Sequence, residues 1–447
     1  MRGVHRASDH PAAEPIIGAM ETPPPFDPST MAHPDPEATL SGPPEPWDFL
    51  PQPIPRGGPP WWMTEMIAAE PALAGRVLRR LGVVRRSSGV PGVPARLEAP
   101  GRGTLAGRLA TAIRSALEKG EPVVVTGCGT SEHGAQAFAA IVADAAARGG
   151  IRGAGQPGSV VAAQAFEAAL APQRSGLIIG SSHEGGTGAT IDALDAAAAA
   201  GARTAAVTVH AGSPIGRFGI VLATGEIDRS WCHTVGYLSP ILAAVAVGAA
   251  LTGEPGDADP LACRALLDAG VAQGPAAEVI AAALAGMREL IVVASGADRP
   301  AGRELALKVE EATWLPTTQR DLETFLHGHL PATDEQTGLL LILADCDGRA
   351  ARSARAQQAM AAAGRVGVRA AGILAEGLDA EWPAFLLPVG RLLVPESPGL
   401  PAPVAALLGT ATPLQVLTER LARARGSDPD PIRRDQRAYR EAATLAE

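Results

Sequence analysis

Short apolar runs alternate with helical stretches along most of this chain, and that alternation limits its fold more than any other feature. Pro122–Thr126 reads as a buried strand and 132–147 as a helix; Leu177–Gly180 is a strand and 187–200 a helix. Strands at 205–209 and 220–223, with a turn near Pro214 between them, lead to a long apolar helix over 235–251. The Gly-, Pro- and Asp-rich stretch from Thr252 to Pro260 reads as a linker. The pattern then resumes with a strand at 290–294, a helix over 300–313, strands at 339–344 and 366–370, and a helix over 404–425. Strands this short and this evenly apolar are buried on both faces, which calls for parallel sheets covered by helices. The spacing therefore predicts two doubly wound three-layer α/β/α domains with parallel sheets. An opening helix from Trp61 to about Leu81 places Met63, Met66, Ile67, Leu73, Val77 and Leu78 on one side.

A chain of 447 residues that is 46% apolar and 19% charged can fill two such cores. Residues 1–60 stand apart, with Pro every few positions and no apolar periodicity. They are expected to form a disordered or extended tail without chemistry of its own. This tail lacks the basic start and apolar run of a signal peptide, and Met20 and Met31 are alternative starts. The expected boundaries are 61–252 for the first domain with its helix, 253–262 for the linker, 263–425 for the second domain and 426–447 for a C-terminal tail. Cys128, Cys232, Cys263 and Cys346 are scattered without a C-x-x-C pair, so neither a metal site nor a disulfide framework is expected, and no cofactor is implied. A net charge of −9 argues against nucleic acid as a partner. Without eighteen strongly apolar residues free of Gly and charge, no membrane span is expected, and a cytoplasmic location fits. Among 38 basic residues only Lys119 and Lys308 are lysines, which singles out any lysine set in a motif.

Ligands of doubly wound sheets bind beyond the carboxyl ends of the strands, so the loops at 127–131, 182–187 and 295–299 are the places to look. In Gly127-Cys128-Gly129-Thr130-Ser131 the glycines permit close approach of backbone and the two hydroxyls can donate, although an unliganded tight turn explains the sequence equally well. Ser182-His183-Glu184-Gly185-Gly186-Thr187 joins a strand to a helix and aims hydroxyls and N–H groups outward, as a phosphate cradle does. Glu184 sets a carboxylate in the middle of that cradle. The plainer reading is a helix N-cap, with Ser182 or Thr187 satisfying N–H groups and Glu184 facing the helix dipole. Glu304, Lys308 and Glu311 fall at i, i+4 and i+7 on one helix face, where a carboxylate beside a cation can remove a proton next to a carbonyl. A solvated, salt-bridged face is the ordinary alternative; the apolar flanks and the rarity of lysine weigh against it. His327, before Gly328, suits a helix C-cap or a catalyst.

Over residues 61 to 437 these motifs, in order, resemble the sugar isomerase (SIS) domain family, and within it the tandem isomerase module of glutamine–fructose-6-phosphate aminotransferase. Met63-Thr-Glu65-Met-Ile-Ala-Ala-Glu70-Pro71 is similar to the family's opening M-x-x-E-I-x-E-Q-P, and 127–131 matches its G-C-G-T-S loop. Residues 182–187 lie on the S-x-S-G-x-T phosphate loop, and 304–311 on E-G-A-L-K-L-K-E. His327-Gly328 falls on an H-G pair, and Pro413 through Asp430 on the closing P-L-Q…G-x-D-x-D segment. The resemblance implies an aldose–ketose isomerase or amino-sugar deaminase acting on a sugar or sugar phosphate, with Glu311 as the proton shuttle. His327, from the partner subunit of a homodimer with shared sites, would assist ring opening, and Glu304 and Lys308 would organise the base. Cys128, Gly129, Thr130, Ser131, Ser182, His183, Glu184, Thr187 and Thr234 would line the substrate, and the C-terminal tail would close over it. Departures accompany the matches. Glu184 replaces the family's loop serine, Val235 its usual lysine, and Arg437 is nearest to its missing tail lysine. No glutaminase segment is recognisable here, so glutamine-dependent amination is not expected. A deglycase acting on a sugar–amine adduct and a non-catalytic sugar sensor are the competing readings.

Overall fold

The computed structural model describes residues 35–86 and 96–446. After the opening helix Trp62–Arg80 a small antiparallel ribbon pairs β1 (Val84–Arg86) with β2 (Arg96–Glu98). The first domain then builds a sheet from β3 (Val123–Gly127), β4 (Val160–Gln164), β5 (Leu177–Ser181), β6 (Arg203–Thr208) and β7 (Ile220–Ala223), in the order β4-β3-β5-β6-β7. The second uses β8 (Glu289–Val293), β9 (Thr317–Arg320), β10 (Thr337–Leu343), β11 (Arg369–Ala375) and β12 (Gly390–Val394), in the order β12-β11-β10-β8-β9. Every pairing in both sheets is parallel. Counted within its own domain, each sheet runs 2-1-3-4-5, so the halves repeat one doubly wound topology. These are the two parallel, helix-covered sheets that the strand spacing predicts. The winding reverses between β3 and β5, and between β8 and β10, which opens a crevice at each place.

One continuous apolar core passes through both domains, from Met63 and Leu73 through Val123, Ile179 and Leu242 to Val292, Leu340 and Leu417. Burial of this surface is the main force holding the halves together. The helix Val235–Thr252 lies inside it against the helices Thr130–Arg148, Leu105–Glu118 and Trp62–Arg80. Among the described residues it is the one helix long and apolar enough to cross a membrane, and nearly all of it is buried in protein. It crosses Thr130–Arg148 closely because Gly134 has no side chain: a Cβ there would sit 2.5 Å from Cγ of Pro240. The two ends of the body are tied together. The Asp430 carboxylate accepts the N–H groups of Trp62 and Met63 at 2.8 and 2.9 Å, capping the opening helix, and the Thr64 hydroxyl donates to Glu419 at 3.0 Å.

Three expectations change. The strand expected at 366–370 begins only at Arg369, because Gly367 turns at φ +85° and Val366 is exposed. The expected linker 253–262 already contains the start of the helix Pro260–Val271, whose N-cap Asp259 accepts from Leu261 N at 3.0 Å. For the Pro-rich tail, residues 1–34 lie outside the described residues. Residues 35–60 form neither helix nor strand, yet they are bound rather than free. Ile227 N–H donates to the Ser41 carbonyl at 2.9 Å, Leu40 N–H to Glu226 at 3.2 Å and the Arg229 guanidinium to the Ser41 hydroxyl at 2.7 Å. Farther along, Arg56 pairs with Glu65 at 2.6 Å and lies over the Trp62 ring.

Candidate active site

The crevice between β3 and β5 is bounded by the first two expected loops and faced by the helix Arg299–Thr313 of the second domain. Gly127 must be glycine, since a Cβ would lie 2.6 Å from the Ser131 carbonyl oxygen, and Gly129 turns at φ +54° to start the helix Thr130–Arg148. Leu307, of the facing helix, is the nearest group to a Cβ built on Gly129. Across this junction the Thr130 hydroxyl donates to Glu304 at 3.2 Å, and His133 Nδ1 lies 2.7 Å from the same carboxylate. The i, i+4, i+7 spacing delivers what it promised. Lys308, wholly buried, reaches Glu304 at 3.7 Å and Glu311 at 2.5 Å. Burial opposes the ammonium charge, but Glu311 and Glu304 outweigh it and hold the pKa of Lys308 above its ordinary value. Burial raises the pKa of Glu311 against the pull of Lys308, and its side chain keeps 22% exposure. A carboxylate so placed is a stronger base than an ordinary surface one and remains reachable by a substrate.

The Ser182–Thr187 loop is held largely by itself. The Ser182 hydroxyl accepts from Gly185 N at 3.1 Å and lies 3.0 Å from that of Thr187. His183 turns inward: its Nε2 accepts the Asp228 N–H at 3.0 Å, which leaves the ring proton on Nδ1, and burial pushes its pKa down to about 4. It is therefore a neutral, positioning imidazole. Asp228 accepts N–H groups of Ser230, Thr234 and Gly236 at 3.1, 2.6 and 3.2 Å, and burial raises its pKa to about 6. Thr234 is accordingly buried and bonded to Asp228 rather than open to the crevice. Glu184 Oε2 accepts the Leu50 N–H at 3.3 Å, its Oε1 is 3.9 Å from His233 Nε2, and its carbonyl accepts the Trp47 indole N–H at 2.8 Å. Burial, with His183 and Lys308 nearby, holds His233 well below the usual imidazole range, so it meets Glu184 uncharged. The Cys128 thiol, raised in pKa by burial, lies 3.8 Å from the Thr190 hydroxyl.

Other expected groups are elsewhere. His327 sits in an irregular turn at Phe325–His329, 73% exposed, with Glu323 at 3.1 Å and Arg355 at 3.4 Å. Arg437 is 84% exposed and pairs with Glu441 at 2.6 Å on the helix Arg437–Ala446. The loop at 295–299 is bound by the protein's own groups. In the second domain's crevice Asp298 accepts the N–H groups of Ala344 and Asp345 at 3.0 and 3.1 Å, Asp345 accepts from Ala297, and Arg352 pairs with Asp345. The protein's own carboxylates fill the place a ligand would take. Burial there raises the Asp298 pKa to about 7.

The architecture has solved counterparts. The C-terminal domain of glucosamine-fructose-6-phosphate aminotransferase from Francisella tularensis superposes with a TM-score of 0.65 over 84% of this chain and 99% of that one, at 14% identity. The fold is the tandem sugar isomerase fold. Tagatose-6-phosphate ketose/aldose isomerase from Escherichia coli shares it, with a TM-score of 0.59 over 85% of this chain and 98% of that one, at 17% identity. No family model and no curated protein matches the chain. Within this sugar isomerase fold, two residues beside the loops were not foreseen. His133 has the signal of standing one turn beyond Thr130 on the same helix face, whereas Asp228 acts on backbone N–H groups and leaves no spacing pattern.

Proposed function

We propose that the protein is a sugar isomerase or amino-sugar deaminase of the SIS family, acting on the open chain of a sugar or sugar derivative. The observation that carries this is the Glu304–Lys308–Glu311 cluster, anchored by Thr130 and His133 to the first loop at the switch point of the first sheet. Glu311 removes the proton from one carbon next to the carbonyl, and the enediol that forms takes it back at the neighbouring carbon. Lys308 holds Glu311 ionised before the first transfer and again after the second, Glu311 carrying the proton between them, and Glu304 fixes Lys308. Lining by Gly129, Ser131, Ser182 and Thr187 completes the substrate end in this reading. The exposure of His327 suits its donation to the site of a second copy in a homodimer. The presence of Glu184 in the second loop favours a deglycase acting on a sugar–amine adduct as the second reading.

The test is turnover of fructose, glucosamine and their 6-phosphates, followed as ketose formation or ammonia release. Glu311→Gln is expected to lower kcat by ~10²–10⁴-fold with binding retained, the range for loss of a general base. Equal turnover by Glu311→Gln and the unmodified protein sinks the assignment of the base.

A further inference from the structure

A cleft of about 410 Å³ opens between the opening helix Trp62–Arg80, the strand β1 and the helix Pro260–Val271. Its size is that of a small-molecule site, and it shares no lining residue with the crevice between β3 and β5. Four guanidiniums line it, those of Arg76, Arg79, Arg85 and Arg264, against one carboxylate, that of Glu37. Val83, buried, and Leu261, 59% exposed, give the lining an apolar part. The arginines differ in what holds them. Arg76 is bonded to the buried Glu226 carboxylate at 2.8 and 2.9 Å, and Arg85 lies 3.6 Å from Asp259. Arg264 grips both oxygens of Glu37, one of them at 3.2 Å, and touches Asp268 at 3.3 Å. The Arg76 guanidinium also donates to the Glu37 carbonyl at 3.4 Å. Arg79, one turn beyond Arg76, makes no side-chain hydrogen bond or ion pair among the described residues.

We infer that this cleft binds a small organic anion, a carboxylate or phosphate headgroup on an apolar body, and that Glu37 is the carboxylate which the ligand displaces. Glu37 is held as a bound anion is held at a guanidinium, through a bidentate, charge-assisted pair. It belongs, however, to the Pro-rich segment rather than to the body, and its side chain is 59% exposed. An exposed pair of this kind adds little stability, so a ligand with the same headgroup can take its place. The headgroup then inherits Arg264 and gains Arg79, while the apolar body lies against Val83 and Leu261. Arg76 and Arg85 stay with Glu226 and Asp259 throughout, so the exchange strands no buried charge.

The experiment is calorimetric titration of the full chain with inorganic phosphate, phenyl phosphate and benzoate at one ionic strength, repeated with Glu37→Gln, Arg79→Gln and Arg264→Gln. At least one of the two aryl anions is expected to bind saturably and more tightly than inorganic phosphate, and the tighter of the two identifies the headgroup. Glu37→Gln removes the competing carboxylate and is expected to tighten that anion threefold or more. At least one of the arginine variants is expected to weaken it threefold or more. An anion held at the Ser182–Thr187 loop instead would respond to none of the three substitutions. The inference is overturned by an absence of saturable binding, or by aryl anions that bind no better than inorganic phosphate. It is equally overturned by a smaller gain in Glu37→Gln, or by affinity that neither arginine variant lowers threefold. None of the three residues is buried, so the variants report on the cleft rather than on folding.

Discussion

Replacing Lys308 with Met removes the one cation between two carboxylates, and the structure sets the scale of the effect. The ammonium lies 3.7 Å from Glu304 and neither side chain has any exposure. At an effective dielectric of about 20, Coulomb's law gives this attraction a strength of about 4 kcal/mol. Breaking one side of a buried pair typically costs about 3–5 kcal/mol, because the remaining charge is stranded. Glu304 retains its donors Thr130 and His133, so the lower part of that range, about 3 kcal/mol, is expected. Methionine fills nearly the volume of the lysine stem and adds little strain of its own. The assay is urea unfolding at pH 7, followed by tryptophan fluorescence and circular dichroism together so that a single transition can be recognised. The double variant Lys308→Met/Glu304→Gln leaves no charge on the fully buried partner, only on Glu311, which keeps 22% exposure, and should recover more than half of the loss. A single variant that loses under about 1 kcal/mol, or a double variant no more stable than the single, would refute the view that this pair is mutually dependent.

Two further outcomes follow from buried carboxylates. Burial raises the pKa of Glu70 to about 8, while the Thr412 hydroxyl donates to it at 2.8 Å. A raised carboxyl pKa means that the folded protein holds a proton the unfolded chain releases. The associated stability is full below about pH 4.5 and is lost as pH rises towards 8, by about 3–5 kcal/mol in all. Glu70→Gln should not show that loss, so a stability difference between the two proteins that stays flat from pH 5 to 9 contradicts it. Asp430→Ala leaves the first two N–H groups of the opening helix uncapped and should cost about 1–2 kcal/mol, with faster amide exchange at Trp62 and Met63; unchanged exchange would show that the cap is idle.

Legibility in the sequence divides along physical lines. The strands β3, β5, β6, β8 and β10 were visible because they are central and apolar on both faces, and the base helix was visible because its charges repeat at helical spacing. Of the edge strands, the apolar Ile-Val-Leu-Ala of β7 was visible, while β9 is Thr-Thr-Gln-Arg and the Val-Val-Ala-Ala of β4, only half buried, was passed over. The helix Arg349–Arg365 buries mainly alanine, which marks its inner face weakly, whereas Leu105–Glu118 was passed over although Leu109, Ile113 and Leu117 repeat at helical spacing. At the site, the loops and Glu311 could be read directly from residue type and position. The packing of Trp47 and Phe49 on Gly186 could not, because it joins residues far apart in sequence through shape alone. Proline punctuation looked like looseness, but a chain without its own ladder hydrogen bonds can still be fixed by borrowing partners from a folded surface.

The cap that Asp430 gives to the opening helix has a bearing on how this protein is made. The helix starts near the front of the folded body, and its cap follows 368 residues later in the chain. A chain still on the ribosome can assemble both sheets while the first turn of that helix waits open. Emergence of Asp430 then acts as a latch. A product cut short before Asp430 would contain both five-stranded sheets and still present a frayed leading helix, a ready handle for proteases that clear unfinished chains.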